Sequence, residues 1–353
     1  MQQLKFKYKI LIATTIIAVI FFLIYLIKSI LTPFIFSLII AYFLNPLVDY
    51  LHRKKLSRLK ATALILGLFL TIITTICLIF LPIIFGQLAD LISALPEYFI
   101  TFTTEFYPKI ASEFKHFGFN IGDDFTNIIQ DQKITDQVVD LSQNIFGNAL
   151  DSSLTIINIL SLIFITPILV FYLLKDWDLL IKTISDYLPR NLVSSTKKIA
   201  GEIDKTLSGY VRGQFNVCLT LALFYSCALS LTGLNFGFLI GFLTGIFAFI
   251  PYVGMLCGTT IAIVIALFQW GFDGTYVTLI TLIFVAGNIL ESNFLTPKLI
   301  GKKIGLHPVW IIFGLFAFGA LFGFTGILVA VPLTAICGTI IRHFALEYKK
   351  RFT

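Results

Sequence analysis

The stretch FGFLIGFLTGIFAFI, PYVG, MLCGTTIAIVIALF, residues 236 to 268, decides the fold. Two apolar arms of 15 and 14 residues flank the break Pro251-Tyr252-Val253-Gly254. At about 1.5 Å per residue such arms reach only ~22 Å, short of the ~30 Å of hydrocarbon in a bilayer. Irregular backbone at membrane depth is tolerated only where it lines a cavity or is buried in protein, so the pattern predicts a re-entrant helical hairpin with this break at its tip. The outline recurs further on. Val309 to Phe322, Gly323-Phe324-Thr325-Gly326 and Ile327 to Ile341 give arms of 14 and 15 residues around a second break.

The surrounding sequence has the same character. Of 353 residues, 58% are hydrophobic and 13% charged, where a soluble domain carries roughly a quarter charged residues. That excludes an ordinary cytosolic enzyme. Ile10 to Ile27, Ile30 to Leu51, Ala61 to Phe85, Leu154 to Leu174 and Phe215 to Thr232 each approach the ~20 residues of a membrane span. Another span falls near Tyr276 to Leu290. The first follows Lys5, Lys7 and Lys9 but lacks a small-residue cleavage site at Lys28-Ser29-Ile30, which reads as an uncleaved span. The fold class is therefore an all-α polytopic membrane protein, with about six full transmembrane helices and two re-entrant hairpins. Cys77, Cys218, Cys227, Cys257 and Cys337 lie in apolar segments without a CxxC pair and read as small hydrophobes.

Charge sets the orientation. Residues 52 to 60 carry five Lys or Arg and no acid, and residues 86 to 153 carry three Lys against ten Asp or Glu. The positive-inside pattern makes the first loop cytoplasmic and the second external. Residues 175 to 214, with seven basic residues, return to the cytoplasm. The net charge of +7 is thus spent on topology, and no nucleic-acid partner is expected. Two hairpins that each return to their own side leave Lys298, Lys302 and Lys303, then Arg342, Lys349, Lys350 and Arg351, inside with both termini. Four regions follow: N-terminal scaffold helices at 1–85, an acidic external segment at 86–153 built of amphipathic pieces broken by Pro96 and Pro108, the fourth span and a cytoplasmic loop at 154–214, and a transport region at 215–353.

The last region runs span, hairpin, span, hairpin with opposite entry sides. Interrupted hydrophobic segments in matching positions of an inverted repeat are the best sequence pointer to a transporter's binding site. Gly237, Gly241 and Gly245 recur every four residues in the first hairpin, as do Gly319 and Gly323 in the second. Such small-residue spacing also lets helices pack closely, which is compatible with hairpins.

Ionisable residues in spans are expensive and invite a functional reading. Glu291, flanked by Asn288 and Asn293, sits at the inner end of the Val277 to Leu290 run. Asn288 and Glu291, three apart, share a helix face. Glu291 is either a proton relay or an interfacial acid paired with Lys298 or Lys302. Arg212 and Gln214 open the fifth span. The arginine either binds an anionic or carbonyl-bearing solute or anchors the helix among lipid head groups. Tyr252 either hydrogen-bonds a polar solute or anchors the first hairpin. Asp49, after the bend at Pro46, reads as a helix-end residue facing the basic loop. His52, His116, His307 and His343 lack metal-ligand spacing, and there is no Walker A, HExxH or G-x-S-x-G sequence. No cofactor, metal or catalytic residue is expected, and the energy would come from a gradient.

Leu31-Thr32-Pro33-Phe34, Ala41-Tyr42-Phe43-Leu44-Asn45-Pro46-Leu47-Val48-Asp49, Val170-Phe171-Tyr172-Leu173-Leu174-Lys175-Asp176, Tyr210-Val211-Arg212-Gly213-Gln214, Ile250-Pro251-Tyr252-Val253-Gly254 and Pro297-Lys298-Leu299-Ile300-Gly301 with Gly305-Leu306-His307-Pro308 together resemble the AI-2E (autoinducer-2 exporter) family of bacterial permeases. The resemblance implies a bacterial inner-membrane carrier that exports autoinducer-2 or exchanges sodium or lithium for protons, and a homo-oligomer such as a pentamer. Carried onto this chain, it directs attention to Arg212, Gln214, Pro251, Tyr252, Gly254, Glu291 and Pro297.

The sequence thus predicts a secondary transporter, not an enzyme, whose partners are the bilayer and a small polar solute or a monovalent cation and a proton. The solute would bind near the hairpin tips, among Pro251, Tyr252, Gly254, Gly323 and Gly326, with Asn288, Glu291, Asn293 and Pro297 beside them. A membrane scaffold that binds partners through residues 86–153 is the alternative from another class.

Overall fold

A computed structural model describes residues 28–116, 153–187, 193–271, 273–300 and 306–352. No strand occurs among them. The expected first span at Ile10 to Ile27, most of the acidic segment and Gly301 to Gly305 lie outside the described residues. The helices are α1 (Lys28–Arg53), α2 (Arg58–Thr101), a π-helical turn (Phe102–Phe106), α3 (Tyr107–His116), α4 (Ser153–Lys175), α5 (Trp177–Asp186), α6 (Val193–Leu231), α7 (Gly237–Phe247), α8 (Val253–Trp270), α9 (Gly274–Ile289), a second π-helical segment (Leu290–Ile300) and α10 (Pro308–Phe352). Six helical stretches among the described residues are long and apolar enough to cross a membrane. In α2 no charge falls between Lys60 and Asp90, and Leu64, Leu68, Leu78 and Phe85 all point outward. An apolar surface of this kind is made for lipid.

The chain divides into two compact units, one of Met1–Leu68, Leu160–Gly213 and Leu299–Thr353, the other of Phe69–Ile159 and Gln214–Lys298. In the second unit, α7 doubles back along the end of α6. A Cβ on Gly237 would come 2.8 Å from the Leu229 carbonyl oxygen, one on Gly241 2.3 Å from the Ser226 nitrogen, and one on Gly245 2.1 Å from the Ala222 nitrogen. The glycines at every fourth position therefore form the seam with α6. The first N–H groups of a helix have no partner within it. Gln87 of α2 accepts from the Leu239 N–H at 2.9 Å, and Phe80 stacks 5.9 Å from Phe238.

After α7 the chain turns at Ala248–Tyr252 and α8 runs back antiparallel. A Cβ on Gly254 would meet the Ala248 nitrogen at 2.5 Å, and one on Gly258 would overlap the Thr244 hydroxyl. At the open end, Gln269 accepts from the Asn235 N–H at 2.7 Å and donates to the Gly233 carbonyl at 2.9 Å. Trp270 stacks on Tyr276 at 4.0 Å where the chain enters α9.

The first unit contains a hairpin of its own. Within α10, Gly323 has φ 62° and ψ −143°, and the chain reverses there. Gly314 lies against Thr334, Gly319 against Ile327, Gly326 against the Phe318 carbonyl and Gly338 against Leu306. Every pair is antiparallel about Gly323. The Thr325 hydroxyl meets that of Thr32 in α1 at 3.1 Å, and Ser37 of α1 donates to the Thr166 carbonyl of α4 at 3.2 Å.

Several boundaries depart from the sequence expectation. The first hairpin has arms of 11 and 18 helical residues, not 15 and 14, because the left-handed Tyr252 (φ 69°) ends the turn and α8 begins at once. The second hairpin turns at Gly323 alone, and Gly326 is already helical in the returning arm. Pro96 and Pro108 break nothing: α2 runs 44 residues through Pro82 and Pro96, and Pro108 sits in the first turn of α3. Proline has a helical φ and removes one hydrogen bond, which kinks a long helix without ending it, and Pro108 lies just after a π-helical turn that runs on into α3. The expected loop at 175–214 is largely helix, α5 and the first half of α6, since no proline interrupts residues 193–214 and their three glycines stay within the helix. The span expected to end at Leu290 continues to Ile300 as a π-helix.

Substituting Gly245→Val should cost on the order of 1–3 kcal/mol or more by pushing α7 off α6, whereas Gly86→Ala, with nothing within 4 Å of the new Cβ, should be neutral or gain up to ~1 kcal/mol. Thermal unfolding of the two purified variants in one detergent reads the contrast.

Candidate functional site

The polar residues of the first unit gather on Arg58. Its Nε donates to the Leu174 carbonyl at 2.9 Å, one terminal nitrogen donates to Asn45 at 3.2 Å and lies 3.6 Å from Asp49, and the other pairs with Asp178. Asn45 in turn donates to Asp49 at 3.0 Å. The arginine side chain is only 14% exposed. One guanidinium therefore ties the ends of α1 and α4 and the start of α5 to the start of α2, and it satisfies a carbonyl that the α4 terminus leaves open. Asp49 faces the basic loop as expected. Arg58, counted from sequence only as a topology charge, is the residue that organises it.

Arg212, Gly213 and Gln214 are consecutive on α6 and point three ways, as successive helical residues must. Arg212 is exposed and lines two cavities of the first unit. The larger, about 630 Å³, it shares with Lys198, Lys205 and Arg342; the smaller, about 70 Å³, with Tyr42, Asn45 and Asp204. At Gly213 a Cβ would stand 2.5 Å from the Leu299 carbonyl oxygen, so only glycine admits that backbone. Gln214 is buried and donates to the Ala248 carbonyl at 2.7 Å. That carbonyl closes α7 at the hairpin turn. Gln214 is thus a latch on the first hairpin.

At the turn itself Pro251 is partly covered, Tyr252 is 64% exposed in a left-handed backbone, and Gly254 is buried where the two arms touch. A non-glycine residue at positive φ is uncommon and strained, and such strain concentrates at functional sites.

Asn288 and Glu291 lie where α9 passes into the π-helical segment, both half-buried. Asn288 contacts the Met255 sulfur of α8 at 2.7 Å. The Glu291 carboxylate lies within electrostatic reach of Cys218 and Tyr225 on α6. Tyr225 is buried, its ring stacked 4.9 Å from Phe284 and set against Gly287, and its hydroxyl has no hydrogen-bond partner among the described residues. Glu291 and Lys298 form no ion pair, and Lys302, the other expected partner, lies outside the described residues. Asn293 and Pro297, on the same segment, are exposed. The structure therefore gathers Asn288 and Glu291 with Cys218 and Tyr225 in the second unit. Tyr225 escaped the sequence reading and Cys218 was read there only as a small hydrophobe, although their spacing of seven on α6 puts them on one face. π-Helical turns are rare and frequent at functional sites, and nothing in the local sequence announces one.

Gly323 and Gly326 belong to the other unit, where Gly323 makes the reversal and Gly326 is buried in the arm contact. Among the described residues no group of His, Cys, Asp or Glu is arranged to hold a metal ion.

The family model for AI-2E family transporters matches residues 14–346. The chain belongs to the AI-2E transporter family. It is 29% identical over 322 residues to YrrI of Bacillus subtilis (strain 168), named a candidate transport protein, covering 90% of this chain and 87% of that one. To the candidate permease PerM of Escherichia coli (strain K12) it is 28% identical, with 91% and 89% covered. To the AI-2 transport protein TqsA of the same organism it is 27% identical, with 87% and 84% covered. With its apolar helices, membership makes this a multi-pass membrane protein of a transporter family.

The residues that the sequence singled out divide by task. Asn45, Asp49, Gly213, Gln214 and Gly254 hold helices together, and Glu291 with Asn288 is the polar group left facing α6. Replacing Arg58 with Ala strands the Leu174 carbonyl and leaves Asp49 with Asn45 alone, which should cost about 1–3 kcal/mol. Arg58→Lys should recover only part of it, because an ammonium cannot span three acceptors. Thermal unfolding in detergent measures both.

Proposed function

We propose that this chain is a gradient-driven secondary carrier of the bacterial inner membrane that exports a small polar solute of the autoinducer-2 type, with Glu291 as the coupling carboxylate. The observation that carries the reading is the half-buried acid at the start of a π-helical stretch, near Asn288 and within electrostatic reach of Tyr225, with no ion pair to it and no hydrogen bond to the Tyr225 hydroxyl among the described residues. An intramembrane carboxylate of this kind serves as a proton relay or takes up a monovalent cation. The AI-2 transport protein TqsA, similar over most of its length, supports the solute class. Sodium or lithium exchange for protons uses the same carboxylate without a solute.

Residues 215–353 form the transport region in this reading, and both termini are cytoplasmic. The first hairpin re-enters. Its first arm has 11 helical residues, or ~16 Å, about half the hydrocarbon thickness. The short arm supports a tip at membrane depth, and Gln214 holds that tip to α6.

Protein reconstituted in liposomes should accumulate autoinducer-2 against its gradient when a proton or sodium gradient is imposed. Glu291→Gln should abolish this uphill flux and its pH dependence while solute counterflow persists, which shows that the variant is folded. Unchanged coupling in the variant overturns the role of Glu291. Flux of protons with sodium alone supports cation exchange, and no gradient-driven flux at all removes the carrier reading.

A further inference from the structure

A phenylalanine would occupy the place of Tyr225 at lower cost than the tyrosine does. The residue is 1% exposed on α6, its ring stacks 4.9 Å from Phe284 of α9, and its hydroxyl has no hydrogen bond among the described residues. Burying a hydroxyl without a partner costs free energy that the same ring without oxygen avoids. A group of this kind calls for a role in which its partner comes and goes.

Gly287 fixes where the hydroxyl stands. A Cβ on Gly287 would come 2.3 Å from the Tyr225 oxygen, so the oxygen fills the notch that the missing side chain leaves in α9. Glu291 is four residues on, where α9 passes into the π-helical segment. Helical side chains lean toward the N-terminus and cover the turn before their own Cα. The direction open to Glu291 is therefore back over the Gly287 turn, toward the notch. Helix positions four apart have Cβ atoms about 5–6 Å from one another, a gap that the two further carbons of a glutamate cover. A rotamer change alone thus brings the carboxylate to the phenol, which is already within its electrostatic reach.

The other neighbours leave this role to Tyr225. On α6, Cys218 also lies within reach of Glu291, but its sulfur already takes the Gln214 amide at 3.9 Å and its S–H is a weak donor. From α8, Met255 meets Asn288. Lys298, on the same segment as Glu291, makes no ion pair with it.

We propose that Tyr225 is the positioning residue for Glu291: its phenol donates to the carboxylate when Glu291 is ionised and empty, and releases it when Glu291 takes up its proton or cation. This rests on the reading of Glu291 as the coupling carboxylate. A charge among membrane helices is tolerated when it is paired, and the phenol supplies the pair for the part of the cycle that lacks the coupling ion. The released arrangement is the one described above, with hydroxyl and carboxylate apart.

Tyr225→Phe tests this, because it keeps the ring and removes only the oxygen. In detergent the purified variant should unfold at or above the wild-type temperature, since no hydrogen bond is lost. In liposomes its uphill flux of autoinducer-2 should fall about 10-fold, the weight of one hydrogen bond to a charged group. The pH at which uphill flux is half-maximal should rise by about one pH unit, because loss of a donor to the charged form lets the carboxylate hold its proton to higher pH. Counterflow through Tyr225→Phe with Glu291→Gln should match that through Glu291→Gln alone, as expected for a hydroxyl that acts only through the carboxylate. Wild-type uphill flux and pH profile in Tyr225→Phe, with Glu291→Gln uncoupled, overturn the pairing and leave the carboxylate reading standing. Coupling that survives Glu291→Gln overturns both. A lower unfolding temperature in Tyr225→Phe, the mark of a hydroxyl bonded in the resting fold, also overturns the pairing.

Discussion

Contact between helix backbones at glycine fixes most of this molecule. Where α7 lies on α6, a single added carbon at Gly245 would come 2.1 Å from the Ala222 backbone nitrogen, and the contacts at Gly237 and Gly241 are nearly as tight. In lipid there is no hydrophobic gain from bringing two apolar helices together, so association depends on van der Waals contact and on hydrogen bonds that small residues permit. The same device closes the α7–α8 hairpin at Gly254 and the two arms of α10 at Gly326, while Gly258, Gly314 and Gly319 make room for the side chains of Thr244, Thr334 and Ile327. Removing side chains from these faces brings carbonyls and hydroxyls within reach of one another. The Gln214 to Ala248 hydrogen bond, at 2.7 Å, is one product of that proximity.

Polar side chains then act as fasteners, each on a backbone group that a helix end leaves open. Gln87 meets an N–H at the start of α7, Gln269 spans the open end of the first hairpin, and Arg58 takes a carbonyl at the end of α4. The cost of an unpaired backbone group in a bilayer makes such side chains worth their desolvation. Among the described residues, Glu291 with Asn288 and the Tyr225 hydroxyl is a polar group that this accounting does not absorb. Chemistry and ligands are to be sought among the groups that structure does not consume.

Much of the fold was legible in the sequence because the signals are local. Apolar runs bounded by charge located α1 and α4 within a few residues, and Pro251 and Gly323 marked both reversals. The misplaced boundaries came from reading punctuation too literally. Pro96 carries a helical φ and lets α2 continue to Thr101, and the basic residues of 193–214 ride on a helix that was read as a loop. The candidate site was legible only in part. Glu291 stood out as a charge in an apolar stretch, but its π-helical setting and the facing Tyr225 depend on how α9 packs against α6. Gln214 drew attention as a neighbour of Arg212, and the hydrogen bond it makes, to a main-chain carbonyl 34 residues away, is not written in the local sequence.

The central claim is that the first hairpin turns back inside the bilayer. It is tested by placing a bimane fluorophore at Tyr252→Cys, an exposed tip position, in protein whose five native cysteines are replaced, and by quenching it in liposomes with lipids that carry nitroxides at different depths. The account predicts the strongest quenching from nitroxides on the acyl chains. Quenching confined to head-group nitroxides, the signature of a tip that has crossed to the far surface, would contradict it.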